Sequence, residues 1–167
     1  MSDTTNFHDG GCACGRVRYR MMSQPLIVHC CHCSWCQRQN GSAFAVNALI
    51  EADRVRLLEG DVVDITVPSP SGKGQVICRC PHCQVALWSY YLVLSGGIGN
   101  AVRFLRVGTL DDPGALPPDV HIYTSSKQSW VTLSPDELAV EEYYVTNEVW
   151  PKESLERLAV LLGVDQD

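Results

Sequence analysis

Nine cysteines gathered in three tight clusters, all within the first half of a 167-residue chain, limit its folds more than any other feature. The clusters are Cys12-Ala13-Cys14, then Cys30-Cys31-His32-Cys33-Ser34-Trp35-Cys36, then Cys78-Arg79-Cys80-Pro81-His82-Cys83. An odd number of closely set thiols makes a poor disulfide framework, whereas C-x-C and C-x-x-C are spacings of metal knuckles. The opening MSDTTNFHDG has no apolar run and no basic leader, so a cytoplasmic chain with reduced thiols is expected. No stretch nears the roughly 20 apolar residues that span a bilayer.

Residues two apart on an extended segment point the same way, so Cys12 and Cys14 can reach one ion, as can Cys31 and Cys33. Cys33-x-x-Cys36 and Cys80-x-x-Cys83 are knuckles, the latter stiffened by Pro81. Nine thiols exceed one tetrahedral centre and nearly fill two. Two pairings are open. One joins the knuckles, Cys33 and Cys36 with Cys80 and Cys83, as a closed four-sulfur site. The other joins Cys12 and Cys14 with Cys80 and Cys83 and leaves Cys31, Cys33 and Cys36 as a three-sulfur set. Four thiolates saturate zinc, whereas three protein ligands leave a position for water or substrate. Thiol redox cycling and a four-sulfur iron site are the competing uses.

The rest of the chain reads as mainly β. Val17 and Tyr19 alternate with Arg16, Arg18 and Arg20, and strands are expected at 44–50, 55–60, 62–67, 75–80, 87–94, 102–110 and 120–126. Residues 34–40 have room for a short helix that Gly41 would end, and residues 68–74, 96–97 and 111–119 read as turns or loops. Pro135, Asp136 and Glu137 could open a helical turn. A last helix is expected from Pro151, with Leu155, Leu158, Leu161 and Leu162 on one face. The first nine residues read as a flexible lead and residues 10–167 as one metal-binding domain. Nineteen acidic residues against thirteen basic ones, a net charge of −6 with no basic stripe, argue against nucleic acid and anionic membranes as partners.

Four motifs in fixed order, GGCACGRVRY at 10–19, CHCSWCQRQNGSAF at 31–44, CPHC at 80–83 and HIYTSSKQSW at 121–130, resemble the glutathione-dependent formaldehyde-activating enzymes and the related centromere protein V-like zinc proteins. That resemblance implies a β-tent fold, two antiparallel sheets with short helices, and two zinc ions per chain. It implies the second pairing: structural zinc on Cys12, Cys14, Cys80 and Cys83, catalytic zinc on Cys31, Cys33 and Cys36. It further implies carbon–sulfur lyase or synthase chemistry on a glutathione adduct such as S-(hydroxymethyl)glutathione, without redox change. A non-catalytic, zinc-stabilised protein-binding module is the alternative. Two positions depart from the family pattern, Arg79 where Phe is usual and Gln84 where Gly is usual.

A small thiol such as glutathione carries carboxylates, for which Arg38 and Lys127 are candidate anchors. Cys30 and Cys31 are adjacent and must point apart in a strand, so Cys30 is read as buried and not as a ligand. Alternation turns His32 away from the Cys31–Cys33 ion in the same way. Trp35 stands inside the knuckle, and Trp88, Trp130 and Trp150 read as core or rim.

Overall fold

The computed structural model describes residues 7–92 and 98–163. The 96–97 turn, residues 93–94 of the expected fifth strand, and positions 1–6 of the lead lie outside them. In chain order the strands are β1 (His8–Gly11), β2 (Arg18–Met21), β3 (Ile27–Cys31), β4 (Ala45–Glu51), β5 (Val55–Glu59), β6 (Val63–Val67), β7 (Gln75–Arg79), β8 (Ala86–Tyr91), β9 (Val102–Arg106) and β10 (Val120–Ile122). The helices are α1 (Ser34–Asn40), α2 (Thr146–Val149) and α3 (Lys152–Leu162).

The strands form a three-stranded sheet, β1-β2-β5, and a seven-stranded sheet ordered β10-β3-β4-β9-β8-β7-β6. This is the mainly β fold with short helices read from the residues, in the two-sheet arrangement that the resemblance implied. One pair departs from it: β10 lies parallel to β3, so the larger sheet is mixed at its edge. The expected strands at 102–110 and 120–126 stop early, at Arg106 and Ile122, each followed by a single 3-10 turn. The 135–137 segment makes only a turn, and β1 begins at His8, ahead of the first cysteine cluster and within the segment read as a flexible lead.

Alternation on the larger sheet feeds two apolar cores. Val28, Ala48, Ile50, Val76, Leu87 and Leu105 join Tyr19 and Met21 of the smaller sheet in the core between the layers. Ile27, Leu49, Val102 and Ile122 face the other way, into a second core closed by Trp150, with Leu155, Leu158 and Leu161 of α3 packed against it. Three of the four leucines expected on one face of that helix therefore do the packing, at the i, i+3 and i+6 positions of an amphipathic stripe.

The C-terminal helix is also held by charge. Arg157 donates from Nε to Glu51 Oε1 at 2.8 Å and from a terminal nitrogen to Oε2, while its other terminal nitrogen reaches the Gln24 carbonyl at 3.0 Å. Glu51 and Arg157 side chains are only 6% and 14% exposed, so removing one partner strands a buried charge. Arg157→Ala should cost about 3 kcal/mol and lower the thermal midpoint by roughly 6–12 °C, measured by circular dichroism. Burial pushes the Glu51 carboxyl up, but Arg157 outweighs it and holds the folded-state pKa below the ordinary value. The pair's stabilisation is therefore present above the unfolded carboxyl pKa and is lost as pH falls through the folded one, so the variant's deficit should shrink in acid.

Candidate metal centres

The first centre forms where two turns meet. After β1 the chain folds back through Cys12 N–H to Val17 O at 3.1 Å, with Gly15 at φ 77°. After β7 the same span recurs, Cys80 N–H donating to Val85 O at 3.0 Å. These turns bring Cys12, Cys14, Cys80 and Cys83 together, with every sulfur within 4.8 Å of the others. Cys12 and Cys14 sulfurs are 3.4 Å apart, and those of Cys14 and Cys80 are 3.7 Å apart. The edge of a tetrahedral zinc–thiolate site is about 3.8 Å, from a Zn–S bond of about 2.3 Å, so the donor set fits. Backbone N–H groups of Val17 and His82 point at Cys12 and Cys80 sulfurs at 3.3 and 3.4 Å, as donors to thiolates do. Burial pushes the Cys12 thiol up, yet the Val17 N–H and the neighbouring thiols bring it down to about 6.

The two departures from the family pattern meet at this turn. Gln84 adopts φ 62°, the left-handed region that glycine occupies without a steric cost. The Gln84 side-chain amide donates to Pro81 O at 3.0 Å, and the Arg79 guanidinium donates to the Gln84 main-chain carbonyl at 2.7 Å. Arg79 and Gln84 thus support each other, and the four sulfurs still converge.

The second centre lies on the opposite side of the larger sheet. Cys31 closes β3, Cys33 caps α1 with its sulfur accepting from Cys36 N–H at 3.3 Å, and Cys36 lies in the first helical turn. Their three sulfurs are within 4.8 Å of one another. Cys31 and Cys36 belong to the second core and Cys12 and Cys80 to the first, so the sheet separates the two groups. The joined-knuckle pairing of Cys33 and Cys36 with Cys80 and Cys83 is thereby overturned. Cys31 and Cys36 are buried while Cys33 is half-buried, so the accessible edge of the triad is at Cys33. The thiols of Cys31 and Cys36, aided by backbone N–H groups of the helix start, hold Cys33 far below the ordinary thiol range, and the same contacts raise Cys31.

Helix α1 is fixed by polar contacts on both sides. Gln37 Nε2 donates to His32 O at 2.7 Å and Ser126 O at 2.9 Å, and Ser126 Oγ donates to His32 O at 3.0 Å. The 121–130 motif therefore braces the triad's own turn. Trp35 Nε1 reaches Gln75 Oε1 at 3.4 Å, and Gln39 reaches the same oxygen at 3.1 Å. Arg38 is exposed in the last turn of α1, and Lys127 is half-buried with its ammonium on the Gln128 and Val131 carbonyls.

Sequence reading missed Arg106. It is 8% exposed, and its guanidinium donates to Asn47 Oδ1 and Gln39 Oε1. Burial pulls its pKa down, while negative charge on Cys36 supports the cation. The signal was available in VRFLRV: Arg106 shares parity with Val102 and Phe104, which face the second core. With Arg79 and Phe44 it also lines a cleft of about 380 Å³ between the end of α1 and the Cys80–Cys83 turn.

Comparison with known proteins agrees with the motifs. A Halomonas elongata protein, provisionally named a glutathione-dependent formaldehyde-activating enzyme, is 27% identical over 133 residues, covering 77% of this chain and 82% of its own. A crystal structure of a Rhodobacter sphaeroides protein aligns with TM-score 0.42 at 16% identity, over 62% of this chain and 87% of that one. The family profile described as glutathione-dependent formaldehyde-activating enzyme matches residues 7–126, which contain all nine cysteines and both converged thiol groups. With most of its length matched and those sulfurs brought together in space, the chain belongs to the glutathione-dependent formaldehyde-activating enzyme family.

Proposed function

We propose that this chain is a zinc-dependent carbon–sulfur lyase or synthase that interconverts a small thiol plus a carbonyl with their hemithioacetal, glutathione and formaldehyde being the first pair to test. The observation that carries the reading is the grouping of Cys31, Cys33 and Cys36 as three sulfurs, with no fourth ligating side chain joining them among the described residues. Cys12, Cys14, Cys80 and Cys83 would hold a closed, structural zinc, and the triad would hold a second. A zinc ion on three thiolates supplies an open position at which an incoming thiol ionises near neutral pH.

The chain's own residues then have distinct tasks. Cys31 and Cys36, buried on the second core, fix two corners of the site, and Cys33 presents the edge from which a ligand approaches. Arg106 offsets the net negative charge that three thiolates leave around a divalent ion, from a position water hardly reaches. Gln37 and Ser126 hold the His32 carbonyl and so the turn that carries the triad. Lys127, one residue beyond Ser126, and Arg38 on α1 supply positive charge for the carboxylates of the thiol substrate. In the forward direction one carbon–sulfur bond forms, the carbonyl π bond is lost, and the thiol proton ends on the new hydroxyl oxygen. No electrons change hands, which suits a d10 ion. No described helix is long and apolar enough to cross a membrane, and a reducing cytoplasm would keep the nine free thiols competent.

Exchange NMR with labelled formaldehyde and glutathione tests this directly. Zinc-replete protein should accelerate adduct exchange above the spontaneous rate, and chelator treatment should abolish the acceleration. A zinc-replete sample that leaves the spontaneous rate unchanged would sink the glutathione–formaldehyde reading, favouring the non-catalytic protein-binding module.

A further inference from the structure

A third set of ligating side chains stands apart from both thiol groups. Cys30 Sγ, His32 Nε2 and His121 Nδ1 lie within 4.8 Å of one another, and all three residues are buried. Their convergence follows from strand geometry. Cys30 and His32 are two apart and so share a side, opposite to Cys31 and Cys33. In the parallel β3–β10 pair, Cys30 stands directly across from His121. The run Cys30-Cys31-His32-Cys33 therefore sends alternate side chains to two different places.

The separations suit an ion. Cys30 Sγ to His32 Nε2 is 3.6 Å, and His32 Nε2 to His121 Nδ1 is 2.9 Å. Around tetrahedral zinc the sulfur–nitrogen edge is about 3.6 Å and the nitrogen–nitrogen edge about 3.3 Å, so only a small opening of the histidine pair is needed. The remaining nitrogen of His121, Nε2, is buried without a hydrogen-bond partner and lies 3.7 Å from Glu137 Oε1, so a small shift would bring it into the contact by which a carboxylate orients a ligating imidazole. That carboxylate would also balance the single positive charge left by a divalent ion on one thiolate and two neutral rings. A plain histidine–histidine hydrogen bond accounts for His32 Nε2 and His121 Nδ1 and leaves the buried Cys30 sulfur only a weak thiol contact to that same His32 nitrogen.

We propose that Cys30, His32 and His121 form a third metal site, of Cys-His-His type, for zinc, with Glu137 as the carboxylate that orients His121. This replaces the sequence reading in which Cys30 is buried and His32 turns away from the Cys31–Cys33 ion, neither of them a ligand. The site is separate from the Cys31–Cys33–Cys36 centre and does not depend on what that centre catalyses.

Metal counting and zinc X-ray absorption on the intact chain decide the matter. Wild type saturated with zinc and desalted should hold three ions per chain, and its absorption fine structure should show imidazole scattering beside sulfur. Cys30→Ala and His121→Asn should each hold two ions with unchanged far-ultraviolet circular dichroism, and His121→Asn should lose the imidazole signal. Two ions in wild type, three ions retained in both variants, or wild-type fine structure with no imidazole shell would each overturn the proposal. Should a variant fail to fold, the wild-type imidazole signal alone decides. Cys33→Ser serves as the control: it weakens the triad's ion and leaves imidazole scattering in place, so failure of the catalytic reading and of this one are told apart.

Discussion

Changing Cys33 to serine is expected to bring turnover of a glutathione–formaldehyde adduct down to the spontaneous rate, a loss of roughly a hundredfold or more, while the protein stays folded. Loss of an outer-sphere partner alone typically costs 10–100-fold in metal affinity or activity, and Cys33 is a proposed ligand itself. Three details of the geometry single it out among the triad. It is the half-buried member, so a ligand must approach along its edge. Its sulfur accepts from the Cys36 N–H at 3.3 Å, and the neighbouring thiols hold its pKa well below the ordinary thiol range. And Cys31 and Cys36 pack in the second core, so their replacement would mix a chemical loss with a packing loss. Exchange NMR and circular dichroism on the same sample separate these effects. A Cys33→Ser protein with near-wild-type exchange would mean that the triad is not where the reaction occurs.

How much of this could be read from sequence depends on how local each signal is. Helix α1 was legible to the residue because its limits are local: Cys33 caps one end, and Gly41 at φ 64° ends the other. The strands from Ala45 to Arg79 were legible from alternation and from turn residues such as Gly60. The pairing of the thiol clusters was not, because C-x-x-C states only that two sulfurs share an ion and says nothing of which distant pair completes it. The four-sulfur group joins clusters 66 residues apart or more across two sheets, Cys14 with Cys80, and only the fold brings them together. Resemblance to a family supplied the same grouping of sulfurs that the fold brings together, where spacing alone was silent.

His121 and Arg106 show the complementary failure. Each lies on a short strand whose neighbours are apolar, Val120 and Ile122 for one, Leu105 and Val107 for the other. Strand periodicity gives the side to which such a residue turns but not what it will meet there. His121 meets Cys30 only because β10 returns parallel to β3, a pairing that no local pattern announces.

The largest effect on stability should come from the four-sulfur site. Cys80→Ser is expected to yield protein that is largely insoluble, or folded with a thermal midpoint lower by more than about 15 °C, even in excess zinc. Structural zinc binding to such sites is worth about 10–16 kcal/mol near neutral pH, and a mid-sized chain shifts by about 2–4 °C for each kcal/mol, so losing even a third of the binding is severe. Position explains why no other bond can substitute. Cys80 is fully buried and directly follows β7 of the large sheet, while Cys12 follows β1 of the small one, so an ion held there would clamp the two layers at one end of their shared core. Differential scanning fluorimetry of Cys80→Ser beside Cys33→Ser sets the two sites against each other. Loss of midpoint in the first with near-normal midpoint in the second is the expected pattern. Equal, small losses in both would remove the structural role assigned to Cys12, Cys14, Cys80 and Cys83, and with it the contrast between a closed centre and an open one.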